Sequence, residues 1–434
     1  MSLPPILFLT PDPPGAIWQD KPQIARRLAR VTTVLYVGEE PYLRDWPGLA
    51  GATQPPVSHV VDGLYAFHWS PLAPVTGAPL LGPLTAALRR RRLQSALRAV
   101  APPPLPITHY PFTINHSAIL WLFRPGQQHW IDQLHPRLVI YHVVDEYSAY
   151  PSLSPAQAQR QRDLDRQLTT RADLVFCTAQ SLVDARLPLN PNTHYMPNAV
   201  DYDAFRRAIA KAEGLDTTAP IGNHPGGTRP PTQSPNPSGT VPSHPITQSP
   251  ALAVVGGINA KVDLALLAEV AARRPDWRIE LVGPLSYGLD EAELARLRAL
   301  PNVQFAGAVA PEHVPAVMAG CAVGLIPYKL NEQTRHVNPL KVYEYLAAGK
   351  PVVGTPLPEL AQFQPLVRLA GDVDGFVAAV EAALAEGDAP EAIAARLAAA
   401  GANTWDVRVE RMLALIEEAL QRRAAEHPRG QSHD

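Results

Sequence analysis

The chain has 434 residues, is 46% apolar and carries a formal net charge of −2. At about 150 residues per domain, that length allows two or three domains with ample cores. The balanced charge excludes a global field that would draw the protein to nucleic acid or a membrane, so an anionic ligand must be held by local groups. The two cysteines, Cys177 and Cys321, supply neither a disulfide framework nor a cysteine-based metal site. Both lie in apolar segments that read as buried free thiols, which fits a reducing, cytoplasmic compartment.

From residue 1 to 10 the chain runs into a short apolar strand, without the basic start and long apolar core of a secretory signal. Further short apolar runs at 33–37, 64–69, 118–123, 138–143 and 174–178 read as strands. Helical patterns at 21–30 and 155–170 lie between them. The charge-free region between Asp62 and Arg89 is broken by Pro71, Pro74, Pro79 and Pro83, against the roughly 20 apolar residues a membrane span needs. Strands alternating with helices predict an α/β domain with a doubly wound parallel sheet over residues 1–205.

Residues 206–250 are read as a flexible Pro-rich linker, disordered from about 214. Between 220 and 250 there are nine prolines and only three aliphatic residues, Ile221, Val241 and Ile246. Such a segment cannot bury enough apolar surface to offset its ordering entropy. Deleting most of it is expected to leave fold and activity intact. A second alternating block follows over 251–402, with strands at 251–256, 277–283, 303–306, 323–327 and 351–354 and helices between them. The Ala-rich end, 375–423, reads as two or three helices. Two such blocks on a hinge would face each other across a cleft, with ligands beyond the carboxyl ends of their strands.

The most informative stretch is 336–353, His-Val-Asn-Pro-Leu-Lys-Val-Tyr-Glu-Tyr-Leu-Ala-Ala-Gly-Lys-Pro-Val-Val. Its spacing predicts a short helix with Asn338 as N-cap, Pro339 in the first position, Gly349 at the C-terminus and Pro351 as the stop. The free N–H groups of its first turn would form an anion site. Lys341 and Glu344, three apart, share a face. A cation in the first turn opposes the helix dipole, and an anionic ligand such as a diphosphate would offset it. Glu344 is placed to accept from ribose hydroxyls. On spacing alone, a well-capped helix with a surface Lys–Glu pair accounts for these residues equally well.

This stretch resembles the donor-site helix of GT-B glycosyltransferases, specifically family four of the retaining enzymes and its teichuronic-acid-type bacterial polysaccharide members. The similarity extends to Asp145 with its preceding strand, to Met196-Pro197-Asn198-Ala199-Val200-Asp201 with Phe205, and to the segments 255–264 and 279–284. The resemblance implies two Rossmann-like domains, an N-terminal acceptor domain and a C-terminal nucleotide-sugar donor domain. It implies that Glu344 holds the ribose, as the second of the family's paired glutamates. The first would fall at position 336, where this chain has His336. Lys261 and Lys341 match the family's phosphate-binding pair. Lys261 follows Gly256-Gly257-Ile258-Asn259-Ala260, and a glycine turn ending in Gly257 lets the main chain approach a phosphate closely. Donor binding is thus assigned to Gly257, Lys261, His336, Asn338, Lys341 and Glu344.

From the N-terminal block, His142 is taken as the catalytic candidate, facing the cleft at its strand end; a histidine satisfying a backbone carbonyl is the alternative. Trp18, Lys21 and Asp145 are placed on the acceptor side, with Trp18 equally readable as a core anchor and Asp145 as a helix cap. The Asp-x-Asp strings Asp163/Asp165, Asp201/Asp203 and Asp372/Asp374 read as caps and solvated faces, and no metal is assigned. Arg89, Arg90, Arg91 and Arg92 read as a solvated basic face, with weak contact to anionic lipid headgroups as the other account. The stripe Trp405, Val409, Met412, Leu413, Ile416 and Leu420 predicts an amphipathic helix over 403–423. The resemblance has it crossing back to the N-terminal domain.

The expected reaction is transfer of a hexose-type sugar from a nucleoside diphosphate sugar to a hydroxyl of a glycan or lipid-linked acceptor. Retention, independence of metal and the absence of any cofactor beyond the donor are part of that expectation. Two rivals are a hydrolysing nucleotide-sugar epimerase, which would release product without acceptor, and a non-catalytic nucleotide-sugar-binding protein, which would not hydrolyse donor at all.

Overall fold

The computed structural model describes residues 3–11, 20–40, 55–70, 72–76, 81–100, 118–214, 249–286 and 288–426. Trp18 and most of the expected linker, 215–248, lie outside the described residues. The chain divides into two compact units. Unit 1 comprises Met1–Ala199, His336–Asn338 and Trp405–Asp434; unit 2 comprises Val200–Arg335 and Pro339–Thr404.

Unit 1 opens with β1 (Ile6–Leu9), α1 (Asp20–Leu28), β2 (Val34–Val37), β3 (Val57–Val61), β4 (Leu64–Phe67) and α2 (Leu81–Val100). It continues through β5 (Ile119–Leu122), α3 (His129–Leu134), β6 (Leu138–Val143), α4 (Pro155–Arg171), β7 (Leu174–Cys177), α5 (Gln180–Arg186) and β8 (Thr193–Tyr195). The eight strands form one sheet in the order β3-β4-β2-β1-β5-β6-β7-β8. β3 and β4 are the antiparallel pair, turned by Asp62-Gly63 with Gly63 at φ 78°. Strands β1, β2, β5, β6 and β7 are buried at every position, as expected of a parallel sheet covered on both faces. The order reverses between β1 and β5, so a crevice opens at their carboxyl ends. α4 starts on a capping box: the Ser154 side chain accepts from the Gln157 N–H, the Gln157 side chain accepts from the Ser154 N–H, and Pro155 takes the first position.

Unit 2 begins with α6 (Tyr202–Ala212), capped by Asp201, whose carboxylate accepts from the Ala204 N–H. Residues 206–212, assigned above to the linker, are therefore helical, and α6 packs on α9 and α11 of its own unit. Phe205 and Ile209, buried on one face, explain why this segment orders. The unit then runs β9 (Ala251–Val255), α7 (Leu264–Arg273), β10 (Arg278–Val282), α8 (Glu291–Arg298), β11 (Val303–Gly307), α9 (Val314–Gly320) and β12 (Val323–Ile326). Next come α10 (Glu332–Arg335), α11 (Leu340–Ala347), β13 (Val352–Gly354), β14 (Val367–Leu369), α12 (Val373–Glu386) and α13 (Pro390–Gly401). Its six strands are all parallel, in the order β11-β10-β9-β12-β13-β14, with the reversal between β9 and β12.

At that reversal β9 pairs with β12 only through Val323 with Leu252 and Gly324 with Ala253. Beyond this the Tyr345 hydroxyl takes over, donating to the Ala253 carbonyl at 2.7 Å and accepting from the Val255 N–H at 3.0 Å. Leaving that buried N–H without a partner would cost about 1–3 kcal/mol. Gly324 makes room for the ring: a Cβ there would sit 2.5 Å from it.

The closing helix α14 (Trp405–Glu426) belongs to unit 1 and packs on α1. Trp405, Val409, Met412, Ile416, Ala419 and Leu420 form its buried stripe. Asp406 pairs with Arg27 and Arg30, and Arg423 donates to the Arg137 carbonyl and pairs with Asp173. Among the described residues no helix is long and apolar enough to cross a membrane.

Candidate nucleotide-binding site

The site is built at the strand reversal of unit 2. β9 ends in Gly256, which has φ 130° and whose N–H donates to the Val282 carbonyl at 2.8 Å. β10 ends in Gly283 at φ 150°. A Cβ on Gly283 would lie 1.8 Å from the Gly256 carbonyl oxygen, so only glycine lets the two strand ends approach this closely. The two loops then run on side by side, with the Ile258 N–H bonded to the Pro284 carbonyl and the Ser286 N–H to the Ile258 carbonyl. Gly257 is exposed at the tip. Lys261 is half-buried; its N–H is held by the Asn259 side chain, and its carbonyl accepts from the Lys329 N–H.

α11 supplies the rest. Its N-cap is Pro339, which offers no side chain to cap the first turn. The expectation that Asn338 caps this helix is corrected. Asn338 is spent on a reciprocal pair with Asn198: its Oδ1 accepts from the Asn198 N–H at 3.2 Å, and its carbonyl accepts from Asn198 Nδ2 at 2.7 Å. Both residues belong to unit 1. The C-terminus closes as read from the sequence, with Gly349 at φ 72°, the Lys350 N–H on the Tyr345 carbonyl and the Gly349 N–H on the Leu346 carbonyl. Sequence reasoning missed Arg396 here. It is wholly buried, donates to the Gly349 and Gly387 carbonyls and pairs with Glu386. A guanidinium on the last carbonyls of α11 complements the negative end of the helix dipole.

Lys341 and Glu344 meet on one face of α11, with Nζ 2.5 Å from Oε2. The lysine stem passes over the glycine turn: a Cβ on Gly256 would be 3.0 Å from Lys341 Cε. Glu344 is 2% exposed. Burial pushes its carboxyl above the usual range, and Lys341 only partly offsets this. The turn of Gly256, the cation of Lys341, a buried carboxylate and an uncapped helix terminus are thus gathered at one sheet end. The group is suited to an oxyanion with a neighbouring hydroxyl-bearing ring. The raised pKa has a consequence for stability. The folded state keeps a proton that the unfolded chain releases, so this contribution is present below the ordinary carboxylate pKa and lost as pH rises through the folded one. Urea midpoints from about pH 4 to about pH 7 are expected to fall with pH more steeply in the wild type than in Glu344→Gln; parallel profiles would remove this assignment.

His336 is grouped with unit 1, where its Nδ1 lies 2.8 Å from Ser181 Oγ at the start of α5. His142, expected at the cleft-facing end of its strand, is buried among aromatic rings. It is 1% exposed, stacked on Phe123 at 5.1 Å and flanked by Trp121 and Phe176. Both β6 faces are covered, so alternation does not distinguish an inner from an outer side. Neither ring nitrogen has a hydrogen-bond partner, and burial with nearby Lys21 pushes its pKa down to about 3. Lys21 itself is buried, 3.3 Å from Asp20 and 5.4 Å from the Phe123 ring centroid. Asp145 caps no helix: its Oδ2 accepts from the Tyr150 hydroxyl at 2.9 Å, while Glu146 caps the short turn after it.

The aspartate strings separate. Asp201 and Asp372 are N-caps. Asp165 is not on a solvated face; it accepts from the Tyr141 hydroxyl and pairs with Arg186, which also holds Glu146. Among the described residues no group of metal-ligating side chains is present. The arginine run is not one basic face either. Arg89 is buried against Glu40 and the Ala73 and Pro74 carbonyls, and Arg92 donates to the His68 carbonyl, leaving Arg90 and Arg91 exposed.

Two doubly wound sheets, parallel but for β3, with these strand reversals define the GT-B class of fold, and solved structures agree. Sucrose-phosphate synthase from Thermosynechococcus elongatus superposes with a TM-score of 0.62 at 14% identity, covering 96% of this chain and 99% of that one. Anabaena HepE in complex with UDP and glucose gives 0.58 at 14% identity, covering 96% and 100%. The E. coli trehalose-6-phosphate structure bound with UDP-2-fluoro glucose gives 0.58 at 13%, covering 96% and 99%. In sequence, the chain is 32% identical over 262 residues to the putative teichuronic acid biosynthesis glycosyltransferase TuaH of Bacillus subtilis (strain 168). That match spans 57% of this chain and 59% of the relative. Residues 250–400, which carry the glycine turn and α11, match the family described as glycosyl transferases group 1.

Proposed function

We propose that the protein is a glycosyltransferase that moves a hexose-type sugar from a nucleoside diphosphate sugar to a hydroxyl of a glycan or lipid-linked acceptor. Unit 2 binds the donor and unit 1 the acceptor. The observation that carries this reading is the Lys341–Glu344 pair over the Gly256 turn beside an uncapped α11. In it, Lys341, Lys261 and the first-turn N–H groups take the charge that develops on the leaving diphosphate, so the reading needs no metal. Glu344 holds the ribose. UDP in one structural neighbour and UDP-2-fluoro glucose in another favour a uridine diphosphate hexose as the donor to try first. Retention of configuration follows from the resemblance to family four. The test is release of UDP from UDP-hexoses by the full chain, with and without glycan acceptors. Release stimulated by acceptor supports transfer; release unaffected by every acceptor, or none, contradicts it.

A lipid-linked acceptor would place the enzyme, in the cytoplasm, against the inner face of the membrane. α2 carries the surface for this, revised from the four-arginine run. Leu81, Leu84 and Leu88 are 58%, 57% and 46% exposed, and at helical spacing they continue into exposed Arg91 and Arg98. An apolar stripe ending in arginines suits the boundary of an anionic bilayer. The wild type is expected to sediment with phosphatidylglycerol vesicles and the Leu84→Glu/Leu88→Glu variant to stay in the supernatant. Equal sedimentation of the two would remove the contact.

A further inference from the structure

Unit 1 holds a second group of charged side chains that the donor site does not use. It lies at the carboxyl ends of β1, β5 and β6, around the crevice where the strand order reverses. Arg124 follows β5 by two residues. Its guanidinium lies over the Tyr147 ring, Cζ 4.5 Å from the centroid. Its Nε is buried without a hydrogen-bond partner. No carboxylate among the described residues is in ion-pair contact with it. The backbone beneath is fixed, because the Gln127 side chain accepts from both the Phe123 and Arg124 N–H groups at 3.1 and 3.0 Å. Tyr147 is fixed in turn, its hydroxyl donating to the Phe123 carbonyl at 2.9 Å.

The neighbours are already committed. Asp145 accepts from Tyr150, and Lys21 lies beside Asp20 and the Phe123 ring. Burial of the charge lowers the Arg124 pKa, but Tyr147, Tyr150, Glu39 and Asp145 around it together outweigh that cost and raise it. Arg124 is therefore a permanently charged, planar donor set, held flat by an aromatic ring and stiff backbone, with no carboxylate among the described residues in ion-pair contact. A side chain in that state is organised for an oxyanion from outside: a fork of parallel N–H donors matches a carboxylate or phosphate, and little entropy remains to be lost on binding.

We infer that Arg124 is the specificity-determining residue for the acceptor, and that the acceptor carries an oxyanion, a sugar carboxylate or a phosphate, which the Arg124 guanidinium grips in unit 1. The inference rests on the glycosyltransferase reading for the word acceptor, but the anion preference stands on unit 1 alone. Arg124 binds and orients; it takes no part in bond making.

Isothermal titration of the full chain with methyl glucuronide, glucose 6-phosphate and methyl glucoside tests this. The wild type is expected to bind one of the two anionic sugars about tenfold or more tightly than the neutral one. Preference for the glucuronide identifies a uronate source, and preference for the phosphate identifies a phosphorylated one. Arg124→Gln should abolish the preference, and Arg124→Lys, which keeps the charge but loses the fork, should restore only part of it. UDP affinity should be the same in all three proteins. No preference in the wild type, or one that survives Arg124→Gln, overturns the inference. Loss of UDP binding by the wild type would instead strike the donor reading and leave this result interpretable.

Discussion

Lys341→Ala is expected to weaken binding of a nucleoside diphosphate by about 10- to 100-fold and to leave nucleoside affinity within about twofold. A hydrogen bond to a charged group contributes about 1.5–3 kcal/mol, and each 1.4 kcal/mol is a factor of ten. The ammonium reaches over the Gly256 turn, where a phosphate would be approached by main chain on one side and α11 on the other. Removing it takes away the contact to phosphate and none to the base. The substitution also strips Glu344 of its partner. Lys341→Met separates the charge from the packing, since it keeps a stem over Gly256 and removes only the ammonium. Both variants should lose diphosphate affinity alike, by titration calorimetry. A Lys341→Met protein that binds the diphosphate as the wild type does would take the lysine out of the site.

Gly283→Ala should be the most destabilising single methyl in unit 2. The added carbon meets backbone, the Gly256 carbonyl at 1.8 Å, and cannot be relieved by a side chain turning away. The residue also holds φ 150°, which alanine avoids. Overpacking costs about 1–3 kcal/mol and a strained backbone about as much again. Together these, about 2–6 kcal/mol, correspond to a fall in melting temperature of about 4–24 °C for a unit of this size. Gly257→Ala is the control, because a Cβ there has only Asn259 Nδ2 within reach, at 3.9 Å. It should melt within about 1–2 °C of the wild type, as a change of about 0.5 kcal/mol would. Equal melting of the two variants would show that the strand ends do not approach as described.

Much of this was legible in the sequence because buried parallel strands announce themselves as short apolar runs between helical patterns. Helix α11 was legible for a further reason, its Pro339 start and Gly349 stop. What escaped had weaker local signals. β3 is only half-buried, and its residues alternate without an apolar run, although Asp62-Gly63 before Leu64 is a hairpin signal that was there to be read. Residues 206–212 of α6 fall within the expected linker because the helix's apolar face, Phe205 and Ile209, is short and adjoins the proline-rich tract. Asn338 was given to the helix it precedes, when its partner Asn198 is remote in sequence. The burial of His142 escaped because a strand covered on both faces has no polar side to alternate with. Arg396 and Arg124 depend on what the fold brings to them, a helix end and an aromatic ring, and nothing in their neighbours along the chain marks either.

The central claim is that unit 2 is built to hold a nucleoside diphosphate, and thermal unfolding of the full chain with a panel of nucleoside diphosphates tests it most directly. A ligand present at 100 times its dissociation constant adds about 2.7 kcal/mol of stability. The account predicts that at least one of the panel, with UDP foremost, raises the melting temperature well beyond the matching nucleoside, and that Lys341→Ala erases the difference. A chain that unfolds cooperatively at the same temperature with every nucleoside diphosphate as without would contradict it.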